Sequence, residues 1–417
     1  NIRLSYGLDI DIGTMPLDDA ATYAMLGEGD AIAVFQLESE GMRKILRSLK
    51  PERFEDIIAL VALYRPGPLG SGMVDDFIKG KHGTKKVRYM HPMLEDILKE
   101  TYGVILYQEQ VMQIAQALGG FSLGAADMLR RAMGKKKPEV IEKAKGDFIS
   151  GCVDHGVNAK IADEVFELLK YFGGYGFNKS HSAAYALVTY RTAWLKANYP
   201  PEFMAAMLTS VMGESDKIPK YIENCRERGI QILPPDINES GEKFNVVGGN
   251  IRYAMAAVKN VGREAVRQIV EEREKNGRFG GMCELCERVQ LNKKMLESLI
   301  KCGALDSFGH SRAALLAAMD RALDISRRLA CDKDAEQLSF FDFGFDAAQS
   351  KPQLDIEEIK EFPVKELLEM EKEMIGFYVS GHPFDIYENY VERKISLKID
   401  ELAGAEHNCD VITAGLI

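Results

Sequence analysis

A glycine-rich, aromatic segment that leads into a predicted helix has the residues best suited to chemistry. The segment reads Tyr171-Phe-Gly-Gly-Tyr-Gly-Phe177, and the predicted helix starts with Asn178, Lys179, Ser180 and His181. The free N–H groups and the positive dipole end of a helix N-terminus favour phosphate. Tyr185 recurs at helical spacing from Ser182, so a ring could meet a base or a sugar. The segment therefore predicts a nucleotide site, and the alternative is a tight connection between two helices.

A cluster of basic residues upstream could supply further phosphate ligands. Seven basic and three acidic residues lie between Ala126 and Lys145. We expect Arg130 and Arg131 to contact phosphate groups, because arginine is suited to bidentate phosphate contacts. The lysines that follow either join these contacts or form a solvated helix end. They are Lys135, Lys136 and Lys137.

The overall charge is acidic, but the two signs are segregated along the chain. The net charge is −10 over 417 residues, and acidic residues gather at 332–346 and 355–373. A second basic run extends from Lys79 to Arg88. An acidic protein can therefore still hold a basic channel for nucleic acid. No apolar run reaches about 18 residues and no signal-peptide pattern opens the chain, so we expect a cytoplasmic protein without a membrane span.

The cysteines and glycines do not form motifs for metal or ATP binding. The seven cysteines are scattered, which fits a reducing compartment. Cys283 and Cys286 form the only Cys-x-x-Cys pair and lack two further ligands at zinc spacing. We therefore expect a cysteine pair on a helix near the core and no metal site. A Walker-type loop is missing, which argues against an ATPase of that class.

The elements that would position these residues are mostly helical over the first 235 or so residues. Ser122 and Asn158 are suited to cap helices, and Pro200-Pro201 should end the helix that follows His181. A boundary is predicted at Leu233-Pro-Pro-Asp-Ile237, followed by a β-hairpin around Gly248-Gly249. From residue 332 to about residue 373 the periodicity is lost, which indicates a linker with short helices. Residues 409–417 are predicted to form a β-strand.

Five motifs in a fixed order resemble one protein family. They are Phe35-Gln-Leu-Glu-Ser39, Ala62-Leu-Tyr-Arg-Pro-Gly-Pro68, Tyr107-Gln-Glu-Gln110, Met128-Leu-Arg-Arg-Ala-Met-Gly-Lys-Lys-Lys137 and Gly174-Tyr-Gly-Phe-Asn-Lys-Ser-His-Ser-Ala-Ala-Tyr185. The chain resembles the alpha subunits of bacterial DNA polymerase III, which are family C replicative polymerases, from about Leu8 to Ile417. The resemblance implies a mainly α, multi-domain piece of a template-directed DNA polymerase.

The resemblance also implies a division into domains. Residues 1–235 correspond to a helical fingers domain, in which residues 1–30 form the lead-in from the palm. Residues 236–330 correspond to a helix-hairpin-helix domain that binds DNA and the sliding clamp and contains the small β-hairpin. Residues 331–405 form a linker, and residues 406–417 supply the first strand of a truncated oligonucleotide-binding (OB) barrel.

For the nucleotide site, the resemblance favours contacts of the basic and polar residues with an incoming deoxynucleoside triphosphate (dNTP). Arg65 is a further candidate beside Arg130, Arg131, Lys135, Asn178, Lys179, Ser180, His181 and Tyr185. The magnesium-binding aspartates of the family's palm lie upstream of this region. We therefore expect no catalytic residue in this chain and no polymerase activity of the chain alone. Asp9 and Asp11 form an Asp-x-Asp pair that could share magnesium, but we expect loop residues, and we expect Asp18 to cap the helix around Ala20.

A second implied site is a helix-hairpin-helix turn at Ala257-Val-Lys-Asn-Val-Gly-Arg-Glu-Ala-Val266. In such a motif the glycine turn lets backbone N–H groups approach a DNA phosphate. The expected DNA contacts are Lys259, Asn260, Val261, Gly262 and Arg263, together with Lys136 and Lys137. The alternative is an ordinary helix start after a tight turn.

A third implied site is a short peptide, Gln337-Leu-Ser-Phe-Phe341, in the acidic linker. Exposed aromatic residues in an acidic loop fit the pocket of a partner. The peptide resembles the one by which bacterial polymerases hold the sliding clamp, and the alternative is a loop packed on its own domain. The expected partners are primer-template DNA, the clamp and other polymerase III subunits. The competing function is a non-catalytic scaffold that binds DNA and the clamp.

Overall fold

The computed structural model describes residues 1–135, 138–173, 176–214, 216–339, 355–384, 387, 391, 394–397, 399 and 409–415. Up to Asn198 the α-helices are α1 (Ile2–Tyr6), α2 (Ala20–Gly27), α3 (Glu40–Leu49), α4 (Phe54–Leu63), α5 (Pro66–Gly70), α6 (Met73–Lys81), α7 (Glu95–Leu98), α8 (Gln108–Gly119), α9 (Leu123–Gly134), α10 (Pro138–Asp154), α11 (Ala159–Gly173) and α12 (Lys179–Asn198). They are followed by α13 (Pro200–Ser210), α14 (Lys217–Glu227), α15 (Arg263–Asn276), α16 (Met282–Arg288), α17 (Lys293–Lys301), α18 (Arg312–Ser339) and α19 (Val364–Ile375). Short 3-10 helices cover Ile12–Thr14, Pro92–Leu94, Lys99–Thr101, Met255–Ala257 and Asp306–Phe308. The mainly helical fold class is confirmed.

Local signals set several of these helix ends. The Ser122 side chain accepts a hydrogen bond from Ala125 N at the start of α9, as its cap role predicts. Asn158 accepts one from Lys160 N at the start of α11. Helix α2 is capped by Asp19, and the expectation that Asp18 has this role was wrong. Asp19 is the residue directly before the helix, so its carboxylate reaches Thr22 N.

Residues 9–200 form one compact unit with two hydrophobic clusters. In the first cluster, α12 packs against α2 and α4, and Ala186, Tyr190 and Ala193 are completely buried. The second cluster lies among α8, α9, α10 and α11, where Val111 and Leu118 are buried at helical spacing. These two clusters fix α12 and α9, the helices that carry the predicted phosphate ligands.

The remaining described residues, 1–8 and 201 onward, form the second compact unit. It contains a three-stranded sheet of order β1 (Ile232–Leu233), β3 (Asn250–Arg252), β2 (Asn245–Val247). β1 pairs with β3 in parallel, and β2 pairs with β3 in antiparallel register. Gly248 and Gly249 join β2 to β3 with φ angles of 58° and 79°. This left-handed pair confirms the predicted hairpin, because such a turn favours glycine at both central positions.

Helix α19 packs within the second compact unit, in the stretch where the sequence predicts a linker with short helices. It contacts α17, and Leu368, Met374 and Ile375 are buried. The guanidinium of Arg312, at the start of α18, pairs with Asp306 at 2.7 Å and with the buried Glu371 of α19 at 3.2 Å. A buried ion pair of this kind fixes α19 on the unit, since breaking such a pair leaves an uncompensated buried charge.

Residues 409–415 form no strand, which differs from the strand predicted for 409–417. Ser396 and Ile412 exchange hydrogen bonds here, with Ser396 N donating to Ile412 O at 2.9 Å. A strand requires a neighbouring strand that completes its hydrogen-bond ladder.

In the described ranges, no helix has both the length and the apolar character required to cross a membrane.

Candidate functional site

The N-terminus of α12 holds a carboxylate at the position where the sequence predicts phosphate. Glu109, from α8, accepts a hydrogen bond from Asn178 Nδ2 at 3.0 Å and another from Lys179 N at 3.0 Å. Asn178 caps the helix by accepting a hydrogen bond from His181 N at 2.8 Å. Two of the backbone donors expected to meet phosphate are therefore engaged within the protein.

The Lys179 side chain is also paired with a carboxylate. Its Nζ donates to Glu100 Oε2 at 2.7 Å and lies 5.4 Å from the centre of the Tyr107 ring. Glu100 belongs to the 3-10 helix Lys99–Thr101. The charge of Lys179 is thus oriented by an anion from a distant part of the sequence.

The two arginines of α9 share a third carboxylate, Asp127. Arg130 and Arg131 approach it at 2.7 and 2.8 Å. The hydrogen bond from Arg130 and the charges of both arginines hold the pKa of Asp127 below its ordinary value. Because the Arg131 side chain is 65% exposed and that of Arg130 is 24% exposed, Arg131 is the more accessible of the two to a ligand.

Gln108 links Arg130 to the loop before α12. Its Oε1 accepts from Arg130 Nη1 at 3.1 Å, and its Nε2 donates to Gly176 O at 3.0 Å. Its backbone N–H donates to Phe177 O at 2.9 Å, next to a parallel bridge between Tyr107 and Phe177. The Tyr107-Gln-Glu-Gln110 motif therefore joins α9 and α12 into one site.

The buried side chain of Gln110 fixes the backbone at the start of this motif. It is 4% exposed, and its Oε1 accepts from Leu106 N at 2.8 Å and from Tyr107 N at 2.9 Å. Its Nε2 donates to Thr101 Oγ1 at 2.8 Å. Sequence reasoning used this motif only for family resemblance and assigned no role to Gln108, Glu109 or Gln110. The signal in the sequence that could have indicated a role was the run of three polar residues, 108–110, shortly after the apolar segment Val104-Ile-Leu106.

A stack of four rings forms the second half of the site. We name Phe35, Tyr185, His181 and Phe177 the ring stack; successive ring centres lie 5.7, 4.3 and 5.4 Å apart. The first two pairs are tilted by 33° and 32°, and Phe177 meets His181 edge-on. Arg65 caps the stack, with its Cζ 4.8 Å from the Phe177 ring centre. Tyr185 and Phe35 are exposed, so both rings are accessible to a ligand. Phe35 is held against α12 because its N–H donates to Thr192 Oγ1 at 3.2 Å.

The structure thus brings most of the predicted nucleotide ligands together. Arg65, His181 and Tyr185 belong to or flank the ring stack, and Asn178 and Lys179 begin α12 beside it. Ser180 is exposed in the first turn of α12, and Lys135 is exposed at the end of α9. Lys136 and Lys137 lie outside the described residues.

The predicted helix-hairpin-helix turn has a left-handed residue at Asn260, with φ of 65°. Its Nδ2 donates to Ser298 Oγ at 3.0 Å, while Lys259 N donates to Met374 O at 2.9 Å. Val261 is buried, and its N–H donates to Val258 O. In the described part of the chain, the backbone N–H groups of Asn260, Gly262 and Arg263 have no acceptor, so these three donors of the turn are unbonded.

The other predicted sites are partly described. Gln337, Leu338 and Ser339 are the last residues of α18, and Phe340 and Phe341 lie outside the described residues. Cys286 is buried on α16, and burial raises its pKa to about 12. Asp11 accepts a hydrogen bond from Gly13 N and caps a 3-10 turn. Among the described residues, no group of three or more His, Cys, Asp and Glu side chains could hold a metal ion.

Comparison with known proteins identifies relatives along nearly the whole chain. Residues 1–156 match the bacterial DNA polymerase III alpha subunit finger domain, and residues 229–315 match a helix-hairpin-helix motif. The DNA polymerase III subunit alpha of Pseudomonas aeruginosa is 47% identical over 98% of this chain and 37% of its own length. The subunits of Borreliella burgdorferi and Escherichia coli K12 are each 44% identical, over 100% and 98% of this chain. The chain covers 36% of each of these two relatives.

Proposed function

The chain belongs to the bacterial DNA polymerase III alpha subunit family, and on this premise we propose that it holds the incoming nucleotide and the DNA of a replicative polymerase. Template-directed DNA synthesis is proposed for the whole protein, and the chain spans 36% to 37% of the length of these relatives. The dNTP is its substrate, and primer-template DNA, the clamp and other holoenzyme subunits are its partners. We place the protein in the bacterial cytoplasm.

The observation that carries the proposal is the convergence of cations and exposed rings at the start of α12. Arg130, Arg131 and Lys179 face the triphosphate, with Lys135, Asn178 and Ser180 around them. The ring stack offers flat faces to the base and the sugar, and Arg65 lies at its end. Phosphoryl transfer depends on positioning and on neutralising charge, and these residue types supply both.

The internal carboxylates hold the cations in place until the nucleotide arrives. Asp127, Glu100 and Glu109 each accept a hydrogen bond from a residue that the proposal assigns to nucleotide binding. A triphosphate carries several negative charges and several acceptor oxygens, so it can compete with single carboxylates for arginine and lysine. On this account, binding is an exchange of one anion for another.

Magnesium would supply the Lewis-acid chemistry of the whole polymerase. The described residues do not fit a magnesium site, because Asp11 is engaged in a turn and no group of three possible metal ligands includes it. The expectation that the ligands come from outside this chain stays a prediction. A primer-extension assay with magnesium and all four dNTPs tests it, and template-dependent product from this chain alone would contradict it.

For DNA and the clamp, the proposal rests on two separate segments. The unbonded N–H groups of Gly262 and Arg263 would meet a DNA phosphate without reading sequence, as suits a polymerase. Gln337 to Phe341 would enter the pocket of the clamp. Lys259, Asn260 and Val261 would shape the hairpin, and Lys136 and Lys137 would contact the DNA backbone.

Equilibrium binding of a dNTP to three forms of the chain tests the proposed site. Arg131→Ala removes an exposed phosphate ligand and should weaken binding roughly tenfold, the cost of about one charged hydrogen bond. Lys160→Ala removes an exposed cation of α11 that lies outside the site and should change nothing. Equal loss in both variants would show a non-specific charge effect and would refute the site.

One observation favours the competing scaffold function. Arg130, Arg131 and Lys179 are already paired with carboxylates, so each of these three cations has a partner within the protein before a ligand binds. If the unaltered chain and Arg131→Ala bind no dNTP while both still bind DNA, the scaffold function is the better account.

A further inference from the structure

A groove beside α6 carries cations that the proposed nucleotide site does not use. It has a volume of about 450 Å³ and is lined by α6, by residues 85–88 and by residues 102–104. Its basic residues are Lys85, Lys86 and Arg88, and we name it the basic groove. Its size lies within the range of ligand sites, about 300–1,000 Å³.

The structure separates the basic residues of this stretch by role. Lys81 is only 5% exposed and pairs with Glu52 and Asp56, so its role is structural. Lys85 pairs with Asp76 at 2.8 Å. Lys86 and Arg88 are exposed, and no carboxylate of the described residues pairs with either. The groove therefore has surplus positive charge, in contrast to the paired arginines of α9.

The backbone of the groove offers further donors. Residues 86–88 are neither helix nor strand, and their N–H groups donate to no acceptor within the described ranges. Two glycines shape the wall of the groove: a methyl group on Gly80 would lie 2.7 Å from Tyr102 Cβ, so α6 packs closely on Tyr102 there, and Gly103 has a φ of +85°. Unbonded backbone N–H groups are donors that a phosphate can reach without a specific side chain.

We propose that the basic groove binds the phosphate backbone of single-stranded nucleic acid. The cations and N–H groups follow one another along residues 85–88, which suits a row of phosphates rather than a single one. Residues 99–103 connect the groove to the nucleotide site, since Glu100 faces Lys179 while Tyr102 and Gly103 line the groove. The proposal does not depend on the nucleotide site, because none of the groove residues that would contact the strand belongs to that site.

Salt-dependent binding of a fluorescent oligothymidylate to the full chain tests this inference. The double variant Lys86→Gln/Arg88→Gln should bind on the order of tenfold more weakly at 0.1 M salt, and its log–log salt slope should fall by about 1.4, at about 0.7 per contact. The control Lys44→Gln/Lys160→Gln removes the same charge from exposed positions of the same unit. Lys86→Arg/Arg88→Lys keeps the charge and should bind like the unaltered chain.

Inorganic triphosphate as a competing probe distinguishes a strand from free phosphate. We expect the double variant to keep its affinity for triphosphate while it loses affinity for the oligonucleotide. Loss of triphosphate affinity alone would assign the groove to free phosphates and overturn the proposal. Equal oligonucleotide binding by the double variant and the control would also overturn it. Unchanged circular dichroism and melting temperature would exclude unfolding as the cause.

Discussion

Single side chains decide how the proposed nucleotide site is charged. The Asp127 carboxylate forms ion pairs with both Arg130 and Arg131. Glu109 accepts hydrogen bonds from the Asn178 side chain and from the backbone N–H of Lys179. These carboxylates orient the donors, but they also compete with a triphosphate for them. The affinity of the site should therefore be limited by its own anions.

Replacement of Asp127 tests this competition. Asp127→Asn removes the charge that the triphosphate must displace, so we expect dNTP affinity to rise roughly two- to fivefold, the range of one exposed ion pair. Fluorescence titration measures the change, with Asp163→Asn as the control. Asp163 pairs with Lys145 on α10 and should not affect dNTP binding. Weaker binding by Asp127→Asn would show that the carboxylate serves as a positioning group and does not compete.

The residues that sequence analysis missed share one property. Glu109 and Asn178 are 69 positions apart, and Gln108 and Gly176 are 68 positions apart. Caps such as Ser122 and Asn158 could be predicted because the partner lies within one helical turn. Contacts over such distances depend on how α8, α9 and α12 pack, which local patterns do not encode.

At the scale of elements, Gln110 holds the segment that joins α8 to α12. Gln110→Ala would leave the N–H groups of Leu106 and Tyr107 without their acceptor inside the protein. We expect a loss of about 2–4 kcal/mol in the free energy of unfolding, since each buried unpaired donor costs about 1–3 kcal/mol. Urea denaturation measures it.

Gln113→Ala is the matched control for this helix. Gln113 is exposed on α8, so its removal should change the stability by no more than about 0.5 kcal/mol. Similar losses in the two variants would show that the hydrogen bonds of Gln110 do not hold the motif.

The helix-hairpin-helix turn depends on the backbone conformation of Asn260. Asn260→Gly keeps the left-handed conformation accessible, whereas a β-branched residue does not adopt it readily. Asn260→Val should therefore cost about 1–3 kcal/mol more than Asn260→Gly. Thermal unfolding compares the two variants, and equal melting temperatures would contradict the strained turn.

The β-hairpin and the last residues show when local sequence is sufficient. The pair Gly248-Gly249 specified its turn through conformations that glycine favours, and the hairpin formed as predicted. The predicted strand at 409–417 had suitable residues but no strand partner among the described residues, and 409–415 are not a strand. The packing of helix α19 could not be predicted from its acidic sequence, because Leu368 and Met374 are buried by contacts with other parts of the fold.

At the scale of the whole molecule, the segregation of charge gives the acidic chain two basic surfaces. The net charge of −10 coexists with the paired cations near α12 and the surplus cations of the basic groove. Attachment to a clamp would add a third contact through a separate segment. Together these contacts would let one chain hold a nucleotide, a strand and a ring-shaped partner.

Clamp binding can be tested with two variants of equal composition. Gln337→Ala/Phe341→Ala should abolish binding to a bacterial sliding clamp, because it removes the polar and the aromatic anchor of the peptide. Gln349→Ala/Phe345→Ala changes the same residue types outside the peptide and should bind normally. Surface plasmon resonance measures both, and binding that survives the first pair of substitutions would place the attachment elsewhere.

The central claim, a nucleotide site on the ring stack at the start of α12, is tested most directly by photo-crosslinking. An azido derivative of dATP is irradiated with the full chain, and the labelled peptides are identified by mass spectrometry. The account predicts label on Phe35 or within residues 177–185, removed by excess unlabelled dATP. Competable label confined to other peptides, such as residues 85–88 of the basic groove, would contradict it.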